Sequence, residues 1–339
     1  MSRLSQAPAG RAPLAERVYR LLADRQFHSG TSIAAACQVN RDAVSRAIAA
    51  LRELGVTVHA VARRGYCLPR AGAPVDAAAI RKALPEAVAA RLRHGDTIWS
   101  TGSTNVDLLA RSDLPAGRFD FLCAEYQSAG RGRRARSWYA PPGGAICLSL
   151  SWRFRALPSG AGALSLAVGV CALRALRHLG VTRAELKWPN DLVAGEAKLG
   201  GILTELRTEA DGAAFVVIGL GLNVALGTAV HERIKASGTQ AIDLAALGLA
   251  ALERNAIAAA LAAEIIPGLL QFEGEGFGPF AQEWRAADAL AGRPVRVSAE
   301  TGIVSGQARG IDRDGALCVQ TRDGLQRFVS GDVSVRAVA

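Results

Sequence analysis

Apolar side chains recur three and four residues apart at Leu14, Val18, Leu21 and Leu22, and again at Val44, Ile48, Leu51 and Leu54. That is the spacing of one buried helical face. The first set predicts a helix after a frayed Ser-, Ala-, Pro-, Gly- and Arg-rich start over residues 1–12. Thr31 or Ser32 is placed to cap a short second helix running through Ile33–Cys37. Gln38-Val39-Asn40 reads as a tight turn, with Asn40 as cap of a third helix that stops at Gly55. Two short strands follow, Val56–Val61 and Tyr66–Leu68, joined by Arg63-Arg64-Gly65. Three helices and a hairpin in this order predict a winged helix-turn-helix.

From Asp76 to about Trp284 the pattern mixes strand-like and helix-like runs. Phe121–Tyr126, Ile146–Trp152, Glu185–Trp188, Gly201–Arg207 and Ala214–Leu222 read as strands, with Asp211-Gly212 turning the last two into a hairpin. Ser103–Arg111, Gly162–Leu179, Arg254–Gly268 and Phe277–Trp284 read as helices. This predicts an α+β plan, a mixed or antiparallel sheet with helices against one face. After Ala289 the runs shorten to Pro294–Val297, Ile303–Gly310, Ala316–Gln320, Leu325–Val329 and Val333–Arg336. Turns at Asp314-Gly315 and Asp323-Gly324 separate them, which predicts a small five-stranded β-barrel. The expected division is 1–70, 75–285 and 290–339, with Arg70–Pro74 as linker.

The 339 residues are 50% hydrophobic and 21% charged, a globular composition. A chain of this length buries about 75% of its unfolded surface and needs no disulfide or metal to hold it. The apolar runs Ala161–Leu173 and Ala256–Ala263 stop at Arg174 and Glu264, short of the ~20 residues of a spanning helix. No apolar stretch opens the chain. The expectation is a cytoplasmic protein with no membrane partner. Six cysteines without a Cys-x-x-Cys pair read as buried small hydrophobes, neither disulfide framework nor zinc site.

Charge changes the picture at one end. Residues 1–70 hold eleven arginines against four carboxylates, +7 of the chain's +10. A basic winged helix attached to a nearly neutral body points to a polyanion. Arg41, Ser45 and Arg46 lie on the outer face of the third helix, and Arg63 and Arg64 at the wing tip. These five residues are the candidate DNA contacts, by major groove and phosphate respectively. A winged helix also serves as a protein-docking module; charge and geometry together favour DNA.

The densest chemistry is Gly130-Arg-Gly-Arg-Arg-Ala-Arg-Ser-Trp138. Arg131, Arg133, Arg134 and Arg136 sit on a glycine-punctuated loop, and guanidinium matches phosphate bidentately. The segment formally fits G-x-G-x-x-A, but Trp138, Pro141 and Pro142 follow where a dinucleotide fold needs a helix. Gly195–Gly200 is followed by Gly201 rather than Lys, so no P-loop is present. Lys187-Trp-Pro-Asn-Asp191 and Lys198-Leu-Gly-Gly-Ile-Leu-Thr-Glu205 flank a hairpin turn at Gly195. There Lys187, Asn190, Asp191 and Lys198 can converge. An acid between two lysines holds a lysine in place or holds Mg²⁺; a surface hairpin with weak ion pairs has the same spelling. Gly219-Leu-Gly-Leu-Asn223 puts Asn223 at a strand end.

The combination GRGRRxRxW, KWPNDL, KLGGIL and GLGLN resembles the biotin protein ligases, and the front winged helix resembles their two-function ligase/repressor form. Ser103-Thr-Asn105, Ala124-Glu-Tyr-Gln127 and Arg309-Gly-Ile-Asp-Arg-Asp-Gly-Ala316 extend the likeness nearly end to end. The resemblance implies a catalytic domain like that of class II aminoacyl-tRNA synthetases and an SH3-like terminal barrel. It implies attack of biotin's carboxylate on the α-phosphate of Mg·ATP. Biotinyl-5′-AMP forms and then passes biotin to a lysine of the biotin carboxyl carrier protein of acetyl-CoA carboxylase.

By the same resemblance Ser103, Thr104 and Asn105 lie along the biotin bicycle, Gln127 reads its ring end, and Gly130, Arg131, Gly132 and Arg133 cover its tail and the adenylate. Arg134, Arg136, Trp138, Asn190 and Asn223 fall on the nucleotide side. Lys198 contacts biotin's carboxyl oxygen and the phosphate. Arg131, Arg133, Lys187 and Lys198 supply the field, and Asp191 orients them or the metal. An adenylate-bound homodimer repressing biotin genes at operator DNA is implied as well. The family loop carries a third glycine where this chain has Ala135. If that position needs positive φ, alanine costs about 1 kcal/mol there. Catalysis is then expected to survive, with altered adenylate retention or dimerisation. Three other readings compete: a ligand-sensing transcription factor with a non-catalytic biotin domain, a lipoate ligase on the same scaffold, and a nicotinamide enzyme.

Overall fold

A computed structural model describes residues 12–69, 73–111, 113–158, 160–209, 212–249, 253–299, 302–329 and 334–337. The frayed start over 1–11, Arg70 of the linker, Asp211 of the hairpin turn and Val333 of the last strand lie outside the described residues. The chain divides into two compact units. One runs to Pro74 and includes Pro141–Gly143; the other comprises Val75–Ala140 and everything from Gly144.

In the first unit α1 (Leu14–Leu22), α2 (Gly30–Cys37) and α3 (Arg41–Glu53) precede the hairpin β1 (His59–Val61) and β2 (Gly65–Cys67). Val18, Tyr19, Leu22, Ile33, Val44, Ile48 and Leu51 form its core. Tyr19 takes the place expected of Leu21, which is half-buried. The cap of α2 is Ser29 rather than Thr31 or Ser32: its hydroxyl accepts from Ser32 N at 3.0 Å. Gln38 adopts φ 52, which turns the chain, and Asn40 Oδ1 accepts from Ala43 N at 2.8 Å. Residues 56–58 are not strand. Val56 N donates to Leu51 O, closing the end of α3, and Val58 O accepts from Arg52.

In the second unit come α4 (Ala77–Ala83), α5 (Glu86–Ala89), β3 (Leu92–Thr101), α6 (Thr104–Leu109), β4 (Phe119–Gln127), β5 (Ala145–Phe154), α7 (Leu164–His178), β6 (Glu185–Lys187), β7 (Asp191–Ala194), β8 (Ala197–Thr208), β9 (Ala214–Asn223), α8 (Thr228–Ala236), α9 (Arg254–Glu275) and α10 (Gly278–Ala286). The strands form one sheet in the order β3-β4-β5-β9-β8-β7-β6, parallel only between β3 and β4. Period-2 alternation divides its faces. Ile146, Leu148, Leu150 and Trp152 of β5, with Ile218, Leu220 and Leu222 of β9, pack in the main core with α7 and α9. The intervening residues face the other way, where α6 covers part of the sheet: Leu108 packs with Leu122, Phe215 and Val217. Helices therefore lie on both faces, not on one as expected.

Helix α9 is long and apolar enough to cross a membrane by length and composition. Its Ile257, Leu261, Ile265, Leu269 and Phe272 are instead in the protein core, and it continues through Pro267. The C-terminal strands β10 (Pro294–Ala299), β11 (Gly302–Ile311), β12 (Leu317–Thr321), β13 (Gly324–Phe328) and β14 (Ser334–Ala337) form an antiparallel sheet in the order β13-β12-β11-β10-β14. Trp188 joins this sheet to the central body: its indole is buried and Nε1 donates to Gly315 O at 3.1 Å.

Candidate active site

The sheet face away from α7 and α9 is stripped of bulk. Strand register sets Lys187, Asp191, Gly201, Gly221, Cys147 and Ala124 side by side across six strands. One step along, Leu203, Gly219, Ser149 and Leu122 form a parallel row. The glycines leave a trough in this face, and the Trp138 indole and the Asn105 amide lie in it: a Cβ at Gly221 would collide with the first and one at Gly219 with the second.

At one end of the trough sits a buried polar chain. Ser103, Thr104 and Asn105, at the start of α6, are each about 5% exposed or less. Thr104 N donates to Gln127 Oε1 at 2.8 Å, and Thr104 Oγ1 lies 3.1 Å from the same atom. Ser149 Oγ lies 2.6 Å from both Thr104 Oγ1 and Asn105 Oδ1. Asn105 Nδ2 donates to Leu203 O at 3.2 Å and to Glu205 Oε2 at 2.7 Å.

At the other end Lys198 Nζ lies 2.6 Å from Asp191 Oδ1 and 5.9 Å from the centre of the Trp138 ring. Lys187 stands opposite Asp191 in the register. The Lys198 backbone is clamped: its N–H donates to Gln240 O and its carbonyl accepts from Ile242 N and Asn223 Nδ2. Asn223 is 2% exposed and Nδ2 also donates to Ile242 O, while Oδ1 is buried with no partner, an acceptor held ready beside the trough. Asn190 is engaged by structure: Nδ2 donates to Ile202 O at 2.7 Å, and Ile202 N donates back to its carbonyl. Cys147, on the trough floor, has its thiol pushed up to about 12 by burial, which makes it a spacer rather than a nucleophile.

The arginine loop is a folded turn. Trp138 N donates to Gly130 O, Gly132 N to Arg136 O, and Arg131 pairs with Ser137. A Cβ on Gly130 would sit 2.5 Å from Trp138 O, so the first glycine is required by close approach. Arg131, Arg134 and Arg136 are exposed, and Arg133 is half-buried. Among the described residues the only positive φ in this loop is at Arg134 (φ 56, ψ 42). The strain anticipated at Ala135 falls on Arg134 instead.

In the winged helix, Arg41, Ser45, Arg46, Arg63 and Arg64 are all exposed. Arg63 holds the wing tip with φ 64, and the Arg64 guanidinium stacks 4.2 Å from the centre of the Phe27 ring.

Three family profiles match: an HTH domain over residues 15–67, the biotin/lipoate A/B protein ligase family over 97–223, and the biotin protein ligase C-terminal domain over 291–336. The bifunctional ligase/repressor BirA of Escherichia coli is 36% identical over 322 residues, covering 95% of this chain and 97% of that protein. The chain belongs to the biotin protein ligase family. A second family member, the biotin--[acetyl-CoA-carboxylase] ligase of Mycobacterium tuberculosis, is 40% identical over 247 residues, covering 71% of this chain and 88% of its own. Among solved ligases, that of Aquifex aeolicus in complex with biotin and ATP superposes with a TM-score of 0.61 at 25% identity, over 73% of this chain and all of that one. A ligase-like protein of unknown function from Silicibacter, 17% identical with a TM-score of 0.54, shares the fold.

Sequence reading missed Ser149, Glu205, Gly219 and Gly221 as parts of this candidate site. The signal was present: serine at alternate positions in Cys147-Leu-Ser-Leu-Ser151, and glycine at alternate positions in Gly219-Leu-Gly221, both on strands. Each pattern marks one sheet face as polar or bare.

Proposed function

We propose that this chain activates biotin with ATP to biotinyl-5′-AMP and transfers biotin to a lysine of the biotin carboxyl carrier protein of acetyl-CoA carboxylase. With the adenylate as corepressor, its winged helix represses biotin synthesis genes at operator DNA. The observation that supports this most is one trough with two unlike ends: a buried polar chain at Ser149, Thr104 and Asn105, anchored at its far side on Glu205, and the Lys198–Asp191 pair beside Trp138. A ligand with a polar ring and an acidic tail fits that polarity.

The chemistry requires an anionic carboxylate to approach an anionic phosphate. A cation at about 4 Å contributes ~4 kcal/mol at an effective dielectric of 20. Lys198 supplies that charge where ring-bearing acid and nucleotide meet, and Asp191 fixes where the ammonium points. Arg131, Arg133, Arg134 and Arg136 close over tail and phosphates, and exclude water from the mixed anhydride. Trp138 provides a flat surface for adenine, and the unpartnered Asn223 Oδ1 accepts an N–H from the nucleotide side. Lys187 adds to the field from the strand opposite. No group of three metal-ligating side chains exists among the described residues, and Asp191 already holds Lys198. Asp191 would be the protein carboxylate available to help hold Mg²⁺ with the ATP phosphates, and the ion would offset their negative charge there.

Arg41, Ser45 and Arg46 read the major groove and Arg63 and Arg64 meet phosphates. The adenylate-bound protein pairs as a homodimer in the cytoplasm, with the division at 70–75 and 285–290 separating DNA, catalytic and C-terminal modules.

Incubation with biotin, Mg·ATP and a carrier domain, read by mass, tests the enzyme. Carrier gains biotin only when all three are present. Adenylate binding without carrier labelling favours a sensor instead. For the DNA module, R41A and R46A are expected to weaken operator binding, and a lost phosphate contact to lower the salt slope by about one unit.

A further inference from the structure

We infer that Glu205 is a positioning residue for the ring end of the trough, and that it makes that end selective for ligands presenting N–H donors. This rests on the biotin reading above and deepens it.

Proton counting carries the inference. Asn105 Nδ2 faces two groups that only accept, the Glu205 carboxylate at 2.7 Å and Leu203 O at 3.2 Å. The amide is thereby oriented, and Oδ1 is left pointing at Ser149 Oγ, 2.6 Å away. That oxygen only accepts, so the single Ser149 proton goes to it. The second close contact of Ser149, Thr104 Oγ1 at 2.6 Å, then receives no proton from Ser149. Thr104 has two acceptors in reach, Ser149 Oγ and Gln127 Oε1, and its own proton goes to one of them. Both hydroxyl protons are thus used inside the chain.

The 2.6 Å contact between Thr104 and Ser149 needs a proton, so Thr104 gives its own to Ser149 Oγ, and what remains for a ligand are acceptor lone pairs on Thr104 Oγ1 and Gln127 Oε1. These match the two N–H groups of a cyclic urea. They offer nothing to a ring that presents only acceptors or sulfur. Ser149 is fully buried and Asn105 4% exposed, so water cannot cheaply substitute for a lost partner. The Asn105 amide also packs against Gly219, in space that any side chain there would take from it. Glu205 anchors the far end of the chain with the one full charge in it.

The test is biotin binding by calorimetry without ATP, together with steady-state ligation, on the full chain carrying E205L, E205Q, N105A, or N105A with E205L. Loss of a charged hydrogen-bond partner predicts about tenfold or greater weakening of biotin in E205L, seen in KM with little change in kcat. E205Q, whose amide oxygen can still accept, is expected to recover most of the affinity. The double variant should bind no worse than N105A, because both act through one amide. Desthiobiotin, which keeps the urea and lacks the ring sulfur, should lose affinity in E205L by the same factor as biotin. Wild-type affinity in a folded E205L overturns the inference, as does additivity in the double variant. Should E205L fail to fold, wild-type behaviour of folded N105A, with biotin affinity unmoved, overturns it equally. Failure of the wild-type chain to bind biotin at all would instead sink the underlying reading.

Discussion

The Lys198 ammonium and the Asp191 carboxylate form an ion pair of 2.6 Å at the rim of a glycine-floored trough. Both side chains keep about a quarter of their surface exposed, so the pair adds little to stability. Its value is positional. Asp191 holds the ammonium above Gly201, and on the proposed function K198A removes the cation that would face the reacting phosphate. Biotin-dependent pyrophosphate release in K198A is expected to fall about 10²–10³-fold in kcat, the usual loss for one aimed electrostatic donor. K198R should recover only part, because a planar guanidinium cannot occupy the same point.

On the proposed function the two glycines of the trough would serve different substrates. A Cβ at Gly221 would collide with the Trp138 indole, and one at Gly219 with the Asn105 amide. G221A is therefore expected to raise KM for ATP several-fold or more and leave KM for biotin near normal. G219A is expected to do the reverse. Steady-state titrations of each substrate at saturating partner check the split.

Much of this was legible in the chain. Winged helix, central sheet and terminal strands follow from periodicity and turn residues, and Lys187, Asp191 and Lys198 from charges breaking apolar runs. β3 escaped notice because it is an edge strand, half-buried along most of its length, so alternation is weak there. β7 was implied only by the hairpin turn at Gly195, because its four residues carry no period of their own. Alternation marks Ser149 as lying on a polar face, but what it and Glu205 meet there was hidden for a different reason. Their roles come from strand register, which places Ser149 beside Gly219 and brings Glu205 to a helix a hundred residues earlier. No local pattern encodes that meeting. The same holds for Ala135, where motif comparison pointed to strain and the backbone puts the left-handed residue one position earlier.

That shift has a consequence for the loop. Because Arg134 rather than Ala135 carries positive φ, restoring glycine at 135 relieves no strain. A135G is expected to change the dissociation rate of biotinyl-5′-AMP by less than about twofold, since backbone relief of ~1 kcal/mol is not in play. Stopped-flow release of the adenylate measures it, and a large change would mean that the loop refolds around its ligand.

A buried pair anchors the start of the catalytic body. Arg254 donates to both Glu125 oxygens, at 2.7 and 2.8 Å, and each side chain is 1% exposed. Glu125 Oε1 also accepts from Val75 N at 2.6 Å. Removing one partner strands a buried charge, so R254M is expected to cost about 3–5 kcal/mol in urea unfolding. Replacing both, as E125L with R254M, should cost less than the single change, because the stranded charge goes with its partner; the backbone N–H of Val75 is then the group left unpaired.

Asp288 gives the protein a pH signature separate from catalysis. It lies where Leu186 of β6 is clipped between Ala287 O and Ala289 N, at the junction with the C-terminal strands. Burial pushes its carboxyl up to about 6 from 3.8, with Glu185 adding to the rise and the Leu290 N–H opposing it. A raised pKa means the folded state binds the proton more tightly than the unfolded chain. The stabilisation from Asp288 is therefore complete below about pH 4 and is lost as pH rises through about 6. A shift of this size amounts to about 2–3 kcal/mol across that window. D288N keeps an oxygen for Leu290 N and removes the ionisation. Against wild type it is expected to gain relative stability between about pH 4 and pH 7, by about that amount, in thermal or urea unfolding followed as a difference between the two proteins. Parallel pH curves for both would show that the Asp288 carboxyl ionises as freely in the fold as in the unfolded chain.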